Sequence, residues 1–150
     1  MEITLSVIAI IISLVSGFFS FYTFFWTANR DRKQMTLVAY NLLQEQVFDK
    51  LNLYSPSNIS EIINDKTTAE FKKLSSYVAR IEHFCVGINE NIYDFDTVYE
   101  LGHGYFDSSM LKNRIIPILG VKLSQSSFDY FSNIHKVWKK FETREKEKRR

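Results

Sequence analysis

The 150-residue sequence predicts an all-α protein, one N-terminal transmembrane helix followed by a small cytoplasmic helical bundle. Three features carry that expectation. The chain opens on a long apolar run without charge. The remainder repeats apolar residues at three- and four-residue steps, and no useful length alternates apolar and polar residues as a strand would. A chain of this size holds one domain beside an anchor, which excludes a multidomain enzyme with separate substrate and cofactor modules.

From Ile3 to Trp26 the sequence reads ITLSVIAIIISLVSGFFSFYTFFW, 24 residues with no charged side chain. About 20 apolar residues suffice to cross roughly 30 Å of hydrocarbon, and a helix satisfies its own backbone there. Phe21, Tyr22, Phe24, Phe25 and Trp26 suit the membrane interface. A cleaved signal peptide would begin with basic residues, carry a shorter apolar run and end on small residues; this segment does none of these. Arg30, Arg32 and Lys33 follow the run, against only Glu2 before it. That asymmetry predicts an N-terminus outside and a cytoplasmic C-terminal part. The expected organisation is an anchor over 1–29, a cytoplasmic helical domain over 30–141 and a charged tail over 142–150. The lone Cys85 suits a reducing compartment, where a thiol need not pair.

No proline or glycine interrupts the chain from Phe18 to Tyr54. Leu37, Tyr40, Leu43, Val47, Leu51 and Tyr54 recur at helical spacing, so the anchor is expected to continue into the domain until Ser55-Pro56-Ser57-Asn58 breaks it. After a short amphipathic piece over 59–63, Thr67 and Glu70 have the spacing of a capping box. Phe71, Leu74, Val78, Ile81, Cys85 and Ile88 then form one stripe, ending near Asn89-Glu90-Asn91. Asp94 or Asp96 is expected to cap a short helix through Val98, Tyr99 and Leu101, closed by Gly102-His103-Gly104. A segment from Ser108 to Leu119 meets Pro117, expected to kink or end it. A last helix is expected from Ser126, capped with Asp129, carrying Phe128, Phe131, Ile134, Trp138 and Phe141. Residues 139–150 hold seven basic and three acidic side chains, a pattern usual for a solvated helix end and a possible contact for nucleic acid or anionic lipid.

Within the apolar run, Ser6, Ser13, Ser20 and Thr27 fall at seven-residue intervals, with Ser16, Gly17 and Thr23 nearby. Seven residues are nearly two turns, so these small groups share a face. In lipid such a face packs closely against another helix or lines a water path, and both readings imply self-association. His83, His103 and His135 lack the paired spacing of a metal site, and no cofactor motif is present. Arg80 and His83 form a polar pair separated by two residues, able in principle to hold phosphate and shuttle a proton.

The stretch YVARIEHFCVGINENIYDFDTVYELGHGYF, followed by RIIPIL, resembles a bacterial family of single-pass membrane proteins with a helical domain of unknown function. The features in common are the apolar helix around Glu82, then Gly87 and Ile88, the Ile92-Tyr93-Asp94 junction and the short helix at Val98, within residues 20–140. In that group the chain is similar to the small membrane accessory proteins encoded beside the RNA-guided nuclease of type VI-B CRISPR systems. The resemblance implies a homo-oligomeric pore in the bacterial inner membrane that strengthens antiphage defence, with the nuclease as functional partner. It also implies a domain distantly related to the higher-eukaryote-and-prokaryote-nucleotide-binding (HEPN) ribonucleases. That class separates its arginine and histidine by four to six residues, so Arg80 and His83 depart from it and no enzyme is expected. A membrane-tethered ribonuclease and a non-conducting scaffold that recruits a cytoplasmic partner are the alternatives.

Overall fold

A computed structural model describes residues 2–123 and 130–149, with the backbone alone for 2–6, 56 and 122. Among these residues every regular element is helical. Helix α1 (Glu2–Leu43) runs into a wide π turn (Gln44–Phe48) and a last α-helical piece (Asp49–Leu51). Then follow α2 (Pro56–Asn64), α3 (Ala69–Asn89) and α4 (Phe95–Phe106). A second π turn (Leu111–Ile115) leads into α5 (Ile116–Leu123), and α6 (Ser132–Lys148) closes the fold. Helix α3 lies along α6, the inner part of α1 packs on α3 and α4, and α2 bridges α3 and α5.

Local chemistry sets the helix starts. Pro56 occupies the first turn of α2, where a missing amide costs nothing, and Ser55 Oγ accepts the Asn58 amide at 3.3 Å. For α3 the cap is Thr68, which accepts the Phe71 amide at 3.1 Å. This falls one residue after the expected Thr67, because Asp65 accepts both the Thr67 amide and hydroxyl, at 2.9 and 2.7 Å. Glu70 instead accepts the Tyr54 hydroxyl at 3.2 Å, so no reciprocal box forms. The α3 stripe is buried as expected. Past its end Asn91 takes a φ of 57°, and the Gly87 carbonyl accepts the amides of Ile92 and Tyr93 at 2.9 and 3.0 Å.

Three further expectations are corrected. The Gly102-His103-Gly104 segment does not close α4, which continues to Phe106. Gly102 is a packing position: a Cβ there would overlap the buried Tyr40 ring, so the glycine lets α1 approach α4. Of the two outcomes expected at Pro117, an end is overturned: the helix runs on through it to Leu123, with the regular ladder broken just before. The π turn immediately before it shifts the backbone register, and Ile116 bonds to the Leu111 carbonyl five residues back, which relieves the proline's conflict with the preceding turn. Leu37 is not on the buried face of α1 but is 40% exposed, and Thr36 takes its place with Tyr40, Leu43 and Val47.

Helix α6 is described from Ser132; the expected start at Ser126, with Phe128 and Asp129, lies outside the described residues. Its first amides are received by another helix: Glu82 of α3 accepts from Asn133 N at 3.0 Å and Ile134 N at 2.9 Å, a carboxylate at the positive end of a helix dipole. The charged segment stays helical to Lys148, with Arg144 on Asp96 at 3.1 Å and Lys148 on Glu100 at 3.0 Å. In the interior the Trp138 indole donates to the Phe106 carbonyl at 2.7 Å.

The two α4 glycines should respond oppositely to alanine. Gly104→Ala meets nothing within 4 Å and should raise stability by roughly 0.5–1 kcal/mol through helix propensity. Gly102→Ala displaces Tyr40 and should cost about 1–3 kcal/mol. Denaturant melts of the two variants check this, and equal effects would contradict the packing role.

Candidate functional site

The feature that separates this molecule from an ordinary helical bundle is α1. At about 1.5 Å per residue its uncharged segment is longer than a bilayer's hydrocarbon is thick. From Val7 to Trp26 every large apolar side chain is between 49% and 70% exposed. This is one helix long and apolar enough to cross a membrane, and none of its apolar window is covered by the other described residues. Ser13, Ser16, Gly17 and Ser20 lie on this bare helix and are exposed, and Thr27 is half-covered. The side chain of Ser6 lies outside the described residues. Thr23 donates to the Phe19 carbonyl at 2.8 Å, the usual way a hydroxyl is satisfied on an apolar helix.

At the boundary the basic residues differ in their partners. Arg30 lies 5.4 Å from the Trp26 ring and 3.5 Å from Asp31, and Lys33 is exposed. Arg32 instead reaches into the domain, donating to Asp94 Oδ2 at 3.2 Å. Asp94 is 6% exposed and Thr36 fully buried. The Asp94 amide donates to Thr36 Oγ1 at 2.8 Å, while its Oδ1 accepts the Thr97 amide and hydroxyl at 2.9 and 2.7 Å. Asp94 therefore caps α4 and pins it to α1 at once. Sequence reasoning reached the cap but missed Thr36 and Arg32 as its partners, because that pairing joins residues 58 and 62 positions apart.

Arg80 and His83 are both exposed. They border one shallow hollow of about 220 Å³ between α1 and α3, with Gln46, Phe84 and Tyr93. Arg80 donates to Gln46 Oε1 at 2.7 Å, so its guanidinium is already engaged by a neutral amide. His103 Nδ1 lies 3.0 Å from the Tyr99 carbonyl, with its ring stacked on Tyr99. Cys85 is buried, and burial, helped by Glu82, pushes its thiol well above the usual value, which leaves it unreactive. Among the described residues no three of His, Cys, Asp and Glu converge as a metal site. A larger cavity of about 440 Å³ opens beside both π turns, walled by Phe48, Leu51, Leu101, Leu111 and Ile115.

No family model, curated protein or solved structure matches this chain.

Burial would raise the Asp94 pKa, but Thr97 and the charges of Arg32 and Lys33 outweigh it and hold the carboxyl below its ordinary value. A depressed carboxylate contributes stability that is complete above about pH 4 and is lost as pH falls through its folded value. Asp94→Asn should flatten that acid-limb loss in melts recorded against pH. Asp94→Ala should cost roughly 1–2 kcal/mol at neutral pH as a lost helix cap, and a variant as stable as the parent would remove Asp94 from the junction.

Proposed function

We propose that the protein is a single-pass membrane effector: α1 crosses the bacterial inner membrane with its N-terminus outside, the helical domain sits in the cytoplasm, and several copies gather their anchors into a pore. The observation that carries the reading is the continuity of α1, which leaves an uncovered apolar segment and enters the domain core without a break. A stiff helix joined to a packed domain passes a rotation or tilt of that domain to the span, which a flexible linker would not do. Copies assembled through lipid would place Ser13, Ser20 and Thr27 toward a lumen, with the apolar side chains of the span shared between neighbouring helices and acyl chains.

The link to RNA-guided antiphage defence, with the nuclease as functional partner, rests on the sequence resemblance, as does a distant relation of the domain to the HEPN class. A membrane-tethered ribonuclease is the second reading, favoured by the shared hollow of Arg80 and His83. RNA cleavage by purified protein, lost in His83→Ala, would establish it in place of the pore. A scaffold that recruits a cytoplasmic partner would insert without conducting.

In planar bilayers the purified protein should conduct ions. Ser13→Leu combined with Ser20→Leu should abolish conductance while alkaline extraction still finds the protein in the membrane. Unchanged conductance would remove the hydroxyl face as the lining, and no conductance from the parent would leave the scaffold.

A further inference from the structure

Beyond the apolar run, α1 is apolar on two faces. Tyr40, Leu43 and Val47 turn inward and are buried, whereas Met35, Val38 and Leu42 turn away and are 46%, 56% and 50% exposed. A helix apolar on both sides is normally enclosed on both, and the described residues cover only one.

The outward residues belong to a longer stripe. Ile10, Leu14, Gly17, Phe21, Phe24, Ala28, Asp31, Met35, Val38 and Leu42 follow one another at alternating four- and three-residue steps, and all are exposed. Averaging 3.5 residues, this is the spacing that keeps one seam facing a neighbour in a left-handed coiled coil. Within the lipid-length segment almost any spacing would find apolar residues. Among the polar residues after Trp26 it is informative, because Met35, Val38 and Leu42 continue the register.

We propose that this stripe is the contact between parallel copies of the chain, and that its Met35–Val38–Leu42 end is a coiled-coil seam outside the bilayer. The proposal rests on the membrane reading above and names the surface through which copies meet. The membrane selects the occupant. It fixes the height and direction of every copy, so Val38 of one stands level with Val38 of the next, whereas a soluble partner could not follow the stripe into hydrocarbon. Lipid is not the occupant: Met35 lies roughly 13 Å and Leu42 roughly 24 Å beyond Trp26 along the helix, past a headgroup layer about 5–8 Å deep. Asp31 is the one charged member of the stripe, and Arg30 stands 3.5 Å from its carboxylate. Gln34, Met35, Val38 and Leu42 together form an open face on this side of α1.

The test uses full-length protein in liposomes, with Val38→Cys, Leu42→Cys and, as control, Val121→Cys on α5, which is 77% exposed. The buried native Cys85 remains in all three. Under mild oxidation most of V38C and L42C should convert to covalent dimer while V121C stays monomeric. Equal dimer from all three would mean random collision and overturn the seam. Failure of V38C and L42C to link, in a particle whose light-scattering mass still equals several chains, overturns the seam and leaves assembly standing. A particle of single-chain mass overturns both. As a second measurement, Val38→Glu with Leu42→Glu, both at exposed positions, should reduce the particle to one chain without loss of helix signal, and an unchanged mass overturns the proposal.

Discussion

The junction of α1 with Asp94 is the constraint on which the rest of the molecule depends. A long helix that leaves its own domain has few ways to be held: only the face of its inner part is available, and the domain must grip it within a few turns. Thr36 supplies the first hold, accepting the Asp94 amide at 2.8 Å while donating to the Arg32 carbonyl at 2.8 Å. Arg32 closes the group from the other side at 3.2 Å. The Thr36 bond is buried, where a hydrogen bond is stronger than in water, whereas the Arg32 side chain stays 40% exposed; Asp94 also starts α4. Loss of this contact would loosen the start of α4 and the hold on α1 together.

Above that point packing takes over from hydrogen bonding. Tyr40 lies over Gly102, Leu43 and Val47 enter the core, and Phe48 meets Tyr105 and Phe106 at ring separations of 5.3 and 5.1 Å. The π turn at Gln44–Phe48 carries two buried neighbours, Val47 and Phe48, into the core. The π turn before Pro117 serves a different need, accommodating a residue without an amide. The two irregular turns therefore have separate local causes, although they border the same cavity.

Much of this architecture was legible in the sequence because its signals are local. The uncharged run, the α3 stripe, the Asp94 cap and the break at Ser55-Pro56 each depend on residues within a turn or two, although α2 starts at Pro56 itself, ahead of the expected 59–63. What was missed depends on distance in sequence. Gly102 reads as a turn until Tyr40, 62 positions earlier, is seen against it. The charged end of α6 reads as a free tail, yet its side chains meet Asp96 and Glu100 on α4. The exposed hydroxyl face was legible as a repeat, but the Met35, Val38 and Leu42 face was not, since Leu37 at nearly the same level looked like the core member. Periodicity identifies apolar faces without saying which one the chain itself covers.

That ambiguity carries the argument about assembly. A single helix cannot be both an isolated anchor and an optimal coiled-coil member, because a lone anchor has no need of apolar residues once it has left the lipid. Exposed Lys33 and Glu45 on either side are ordinary surface residues of a helix, and a single exposed apolar residue between them would need no explanation. Instead the outward face stays apolar over about two further turns, on the one element whose height a membrane would hold constant between copies. Confinement in two dimensions raises the effective concentration of such faces, so a seam too short to pair free domains in solution would suffice between anchored ones. The inner face of α1 would then fix each domain to its helix while the outer face fixes each helix to its neighbour, and rotation within one domain would be felt across the assembly.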